Sequence, residues 1–156
     1  MTRPEPGLAR GWCALSALHD RIEAHVERAL QTGHGLSVRE YSVLDVLGRQ
    51  RPRDGGHLRM NELADAVVLS QSATTRLVNR LEERGLLTRD LCPTDRRGIY
   101  TEVTDAGRRL LAEARPTNDA ALAEALDRAE RRPELAPLVT AVRTLEHRPP
   151  AAPGAA

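Results

Sequence analysis

The sequence predicts a mainly α chain that carries one small β-hairpin, and three observations predict it. Apolar residues recur at three- and four-residue steps through most of the chain. Two short helical segments are separated only by Val68, Leu69 and Ser70, which is helix-turn-helix spacing. One stretch, Ile99 to Val103, switches to period two with β-branched residues, directly after a turn containing Pro93 and Gly98.

Each element has its own justification. Residues 1–11 carry Pro4, Pro6, Gly7 and Gly11 and read as a frayed start. Leu15, Leu18, Ile22, Val26 and Leu30 then form the stripe of a helix running from Trp12 to the region of Leu30, ended by Gly33 and Gly35. Ser37 and Glu40 match a capping box that opens a second helix, with Tyr41, Leu44 and Leu47 apolar, up to the region of Arg49. Residues 50–56 are polar, with Pro52, Gly55 and Gly56, and form a loop; His57 to Met60 is too short for a helix and is expected as a small strand. Asn61 is the expected N-cap of a short helix, Glu62 to Val67, and Ser70 that of the next, Gln71 to Arg84, with Gly85 as the residue that ends it. The glycine usual in the turn between two such helices is absent. After the hairpin, Thr104 and Asp105 cap a long helix to the region of Ala129, which Pro116 should kink. A last helix is expected from Pro137 to His147, with Pro137 in its first turn. The tail, 148–156, is expected to be disordered.

Composition narrows the class. The chain has 156 residues, one ordinary domain or two very small ones, and a net charge of only +1 from 23 basic and 22 acidic residues. Every one of the 23 is arginine, a planar, permanently charged fork suited to phosphate or guanine. No apolar run approaches the roughly 20 residues of a membrane span, and the N-terminus lacks the apolar core of a signal peptide. Cys13 and Cys92 are too few for a disulfide framework or a four-ligand zinc site. A cytoplasmic protein without membrane association follows. An enzyme lacks parts: there is no nucleophile–base pair, no glycine-rich phosphate loop and no paired-histidine zinc motif. No cofactor and no metal are expected; His19 and Glu23 sit one turn apart, with no third ligand apparent.

The helix from Gln71 separates into two faces. Ala73, Leu77, Val78 and Leu81 form the stripe that must face a core. Opposite stand Ser72, Thr75, Arg76 and Asn79, with Gln71 at the N-terminal end and no carboxylate before Glu82. Major-groove readout needs such donors and acceptors on the N-terminal part of an exposed helix, although a merely solvated polar face looks alike. The hairpin tip adds Arg96 and Arg97 beside Asp95. A tip arginine can enter a narrow minor groove, and an adjacent aspartate can orient it; a charged surface hairpin is the plainer account. Charge distribution favours the first reading. Arg49 to Arg97 holds ten arginines against seven acids, whereas Leu111 to Glu146 holds five against seven.

These residues together resemble the MarR family of bacterial transcription regulators. The resemblance rests on Asn61 to Ala64, on Ser70 to Leu87, on the Asp95-Arg96-Arg97-Gly98 wing and on Val103 to Gly107, and it extends over 12–147. It implies a winged helix-turn-helix over 34–103, with dimerisation helices at 1–33 and 104–147. It implies a homodimer that binds a pseudo-palindromic operator in double-stranded DNA as a sequence-specific regulator, most simply a repressor relieved by a ligand. It places Asn61, Ser70, Gln71, Ser72, Thr74, Thr75, Arg76, Asn79 and Arg80 at the DNA, with Arg97 and Arg96 on the wing and Asp95 orienting. The apolar stripes of the flanking helices exceed what a winged helix of this size can cover, which agrees with a two-fold dimer.

Two further readings stay open. Family members commonly bind small aromatic or phenolic acids, and Trp12, His19 and Tyr41 could line such a pocket with Arg89 facing a carboxylate. Dimer-core packing is the plainer account of Trp12, and a satisfied surface histidine that of His19. Some members sense oxidants through a first-helix cysteine, the position of Cys13, although the tyrosines that accompany the peroxide-sensing thiol are missing here. Such a thiol-based sensor, or a winged-helix protein-interaction module, is the alternative function.

Overall fold

The computed structural model describes residues 6–50, 58–91 and 99–145. In chain order they form α1 (Pro6–His34), α2 (Val38–Gly48), α3 (Met60–Ala66), α4 (Gln71–Glu83), β1 (Leu87–Leu91), β2 (Ile99–Val103), α5 (Asp105–Glu130) and α6 (Ala136–Thr144). They divide into two compact units, one of residues 23–122 and one of residues up to 22 with those from 123 onward, so that the division lies inside α1 and α5.

α1 starts earlier than the periodicity predicts. Pro6 opens it, where a missing N–H costs nothing and φ is preset. The helix then runs through Gly7 and Gly11. Each weakens a helix by about 1 kcal/mol relative to alanine, which is why this stretch reads as frayed in the sequence. Gly35 closes α1 with a left-handed φ of 63°, donating its N–H to the Gln31 carbonyl at 3.1 Å. The capping box of α2 forms as expected. The Glu40 N–H donates to Ser37 Oγ at 3.0 Å, and the Ser37 N–H to Glu40 Oε2 at 2.9 Å. Glu27 of α1 accepts the Val38 N–H at 2.7 Å, satisfying one more orphan donor of that first turn.

α3 departs from expectation in both its start and its approach. It begins at Met60, so Asn61 lies in the first turn and not at the cap. The capping residue is Arg59, whose backbone N–H donates to the Glu62 carboxylate at 2.7 Å. Arginine has no acceptor for a helix N–H, so a search for oxygen-bearing caps passes over it. Residues 58 and 59 form no strand. Instead the Leu58 N–H donates to Gln50 Oε1 at 2.9 Å, and Gln50 Nε2 reaches the Thr101 carbonyl of β2 at 3.5 Å. A side-chain amide stands where a third strand was expected, and the described sheet has two strands. The loop 51–56 and His57 lie outside the described residues, as does the tail.

The turn between α3 and α4 explains the missing glycine. Val68 itself adopts the left-handed conformation, φ 55°, with 83% of its surface exposed. α4 then starts on Ser70, whose Oγ accepts the Ala73 N–H at 3.2 Å. It ends in a Schellman motif: Gly85 has φ 72°, its N–H donates to the Glu82 carbonyl at 2.8 Å, and the Leu86 N–H to Leu81 at 2.9 Å. The hairpin is antiparallel, with Leu87 opposite Val103 and Arg89 opposite Thr101. Leu87, Thr101 and Val103 are buried, so Arg89 stands in the inward register of β1.

The start of α5 is locked to the end of α4. Thr104 Oγ1 donates to the Gly85 carbonyl at 2.7 Å and accepts the Gly107 N–H at 3.1 Å, while the Thr104 N–H donates to the Leu86 carbonyl at 3.1 Å. A Cβ on Gly107 would lie 2.2 Å from the Leu86 oxygen. α5 is a single helix through Pro116. The carbonyl left without a helical donor belongs to Ala112, which is exposed and open to water. α6 ends at Thr144, where Leu145 is already extended with ψ 113°, short of the His147 that the sequence predicts. The core of unit 23–122 includes Leu30, Leu36, Leu44, Leu63, Val78 and Leu81; the other unit buries Leu18, Leu126, Leu135 and Val139 but exposes Leu8, Trp12, Leu15, Val142 and Leu145.

Two substitutions test these joints by thermal or urea unfolding. Val68→Gly relieves a left-handed β-branched residue, worth about 1–3 kcal/mol, against a glycine entropy cost of about 0.5–1 kcal/mol; a net gain of about 1 kcal/mol is expected. Gly107→Ala, favourable by about 1 kcal/mol in an open helix, is expected here to destabilise by about 3 kcal/mol, because the obstructing atom is backbone.

Candidate nucleic-acid interface

α4 sorts its side chains as its periodicity requires. Leu77, Val78 and Leu81 are buried, whereas Gln71, Ser72, Arg76, Asn79 and Arg80 are exposed and Thr75 is half-buried. Thr74 is the exception among the expected contact residues. It is fully buried, with Oγ1 donating to the Ser70 carbonyl at 3.0 Å, and so it is part of the core and not of the exposed face. Asn61 and Ser70 are exposed as well, but the Ser70 hydroxyl is committed to capping. Thr75 Oγ1 gives its proton to the Gln71 carbonyl at 2.9 Å and so presents an acceptor outward. The first turn of α4 contains no acid, and its free N–H groups add to the positive potential there.

Residues outside α4 aim it. The buried Glu40 carboxylate receives Arg84 at 3.4 Å and lies 4.0 Å from Arg80 Nε. Arg39, paired with Glu23 at 3.2 Å, joins Arg76 and Arg80 around a surface hollow of ≈ 620 Å³ floored by Leu69, Ala73 and Leu77. Sequence reasoning assigned Glu40 only its capping role and missed Arg39. The signal was available in part, since Arg39 lies in the first turn of the helix that the capping box opens. Arg89 reaches from β1 to α4, where it pairs with Glu82 at 2.9 Å and donates to Asn79 Oδ1. It is therefore engaged within the protein and does not stand open to a ligand carboxylate. The wing residues Asp95, Arg96 and Arg97, and Cys92, lie outside the described residues.

The remaining expected pocket residues have other surroundings. Trp12 and His19 belong to the unit of residues up to 22 and from 123, Tyr41 and Arg89 to unit 23–122. Tyr41 is buried, and desolvation pushes its phenol above the usual tyrosine range; Asp45 adds to the rise, and Arg115 opposes it by a hydrogen bond. Asp45 in turn accepts Arg49 at 2.6 Å and Arg115 at 3.0 Å. Cys13 is exposed and borders an apolar hollow of ≈ 490 Å³ with Ala14, Ala17 and Leu135. Asp20 completes a trio with His19 and Glu23 on α1, their ligand atoms within 4.8 Å, so a third potential ligand is present after all. Such exposed clusters are common without an ion.

The profile of the MarR family matches residues 34–98, from the end of α1 across the helix-turn-helix to the wing. Solved structures extend the likeness over the whole chain. A MarR family transcriptional regulator of Streptomyces coelicolor, Sco3205, solved in complex with DNA, has TM-score 0.72 and 27% identity, covering 99% of this chain and 97% of that one. CouR of Rhodococcus jostii RHA1, solved with p-coumaroyl-CoA, has TM-score 0.63 and 34% identity, covering 83% of each chain. This chain belongs to the MarR family. The helix-turn-helix regulator MhqR of Bacillus subtilis is 29% identical over 111 residues, 71% of this chain and 70% of that protein. The mainly α architecture with a two-stranded sheet is that of MarR winged helices. MarR relatives of this kind favour neither a thiol sensor built on Cys13 nor a module without DNA binding.

Tyr41 offers a test of the packing around α2. Tyr100→Phe leaves it as the sole tyrosine. Its absorbance titration is expected to have a midpoint above the ordinary value of about 10, and to return there in urea. The folded state favours the neutral phenol, so this contribution to stability is complete below pH about 10 and is lost as pH rises past the folded midpoint.

Proposed function

We propose that this MarR-family DNA-binding regulator is a homodimeric cytoplasmic repressor, relieved by a small aromatic or phenolic acid and without enzymatic activity. The observation that carries the DNA-binding part is the acid-free face of Gln71, Ser72, Thr75, Arg76 and Asn79 on a helix capped, aimed and packed from behind. By the family resemblance of the sequence, Arg97 is expected to enter the minor groove with Asp95 orienting it and Arg96 beside them. The dimer is supported by Leu8, Trp12 and Leu15, which recur at steps of four and three residues along α1 and remain exposed in a single chain. A second copy covers them by one self-complementary patch. Two recognition helices then call for half-sites about one helical turn apart. The effector class is supported by CouR, which was solved with p-coumaroyl-CoA, the thioester of a phenolic acid.

Footprinting on the DNA upstream of its own gene, followed by shift assays at increasing salt, tests this. A two-fold symmetric footprint is expected, with affinity falling by roughly 10³ or more over a fourfold rise in salt. Arg97→Ala is expected to weaken binding to all sequences alike. Arg76→Ala either does the same, as a phosphate contact, or relaxes one base position. No footprint with a flat salt response would instead mark an interaction module.

A further inference from the structure

Arginine offers five N–H donors and no acceptor. The amide atom of Asn79 that faces the Arg89 guanidinium is therefore its oxygen, and the Asn79 NH₂ is the group left to point elsewhere. Arg89 is itself held. It occupies the inward register of β1 opposite Thr101, its side chain reaches α4, and Glu82 grips the guanidinium at 2.9 Å. Asn79 stands on the exposed stripe with Gln71, Ser72, Thr75 and Arg76. From this arrangement we propose that Arg89 is a positioning residue for base recognition: it fixes the Asn79 amide with its donor outward.

The consequence is chemical. An unconstrained asparagine reads adenine with both amide atoms at once, the oxygen accepting from N6 and the nitrogen donating to N7. With its carbonyl directed at Arg89, the amide is turned so that its NH₂ leads toward the base, while the oxygen keeps a second lone pair. Asn79 then leads with its N–H donors, which suit guanine O6 and N7 or thymine O4 and oppose the N4 amino group of cytosine. This inference rests on the DNA-binding reading above and adds to it the polarity of one contact.

The test measures binding of the full-length protein to duplexes carrying every single-base-pair change across its footprint. Wild type is expected to disfavour cytosine at one position in each half-site, by about tenfold, without requiring adenine there. Arg89→Ala frees the amide and is expected to flatten that position while leaving the rest of the profile in place. Asn79→Asp keeps a partner for Arg89, so it does not depend on β1 tolerating a lost arginine. It presents an acceptor outward and is expected to invert the preference, towards cytosine or adenine. A wild-type footprint with an adenine requirement at that position overturns the proposal. So does uniform weakening by Arg89→Ala, or an Asn79→Asp profile that keeps the wild-type preference. A wild-type protein that leaves no footprint overturns the DNA-binding reading itself, which separates the two failures.

Discussion

The Leu86 carbonyl is the point on which the DNA-reading unit turns. It accepts the Thr104 N–H, and the Cα of Gly107 packs against it so closely that no side chain fits between. Three elements are fixed there at once: the end of α4, the returning strand β2 and the start of α5. Gly85 supplies the left-handed step that turns the chain into β1, and Thr104 ties its carbonyl to the first turn of α5. A recognition helix is useful only if its rear end is immobile with respect to the wing, because groove contacts of both must be made in one docking event. The Val103 to Gly107 run is thus a packing motif first, and its association with this family follows from the joint that it builds.

Glu40 performs the equivalent task from the side. One carboxylate closes the capping box of α2 and receives Arg84 and Arg80 from α4. The same group therefore sets where α2 begins and where the last turn of α4 lies. With Glu27 on the Val38 N–H and Glu23 on Arg39, the α1 and α2 acids sit behind the cations that border α4. Acidic groups behind and arginines in front give a face its sign despite a near-neutral chain. The net charge of +1 thus understates the local field that DNA meets.

Much of this was legible in the sequence because it rests on local rules. The capping box at Ser37, the Ser70 cap, the Gly85 stop and the hairpin all follow from short-range chemistry, and each lies where its residues predict. The errors have a common cause: a tertiary partner supplied what the local rule was looking for. Glu62 serves Arg59 and so moves the α3 start ahead of Asn61. Gln50 replaces a strand with a side chain. Val68 accepts a backbone conformation that single-residue preference assigns to glycine. On α4 the helical wheel omitted Thr74 from the exposed face and family resemblance included it; burial decides for the wheel. The Arg89 link to Asn79 had no sequence signal, since it depends on which way the pleat of β1 turns a residue ten positions from its partner.

The Gln50 amide has one more consequence, for tolerance to change. By accepting from Leu58 and donating to the Thr101 carbonyl, it ties together both ends of the seven residues 51–57 and fastens them to the sheet. The spacing of those ends no longer depends on how much chain joins them. Doubling the length of such a closed segment costs only about 0.6 kcal/mol in closure entropy. The approach to α3 is accordingly anchored to β2 at Leu58 itself, whatever the length of chain before it.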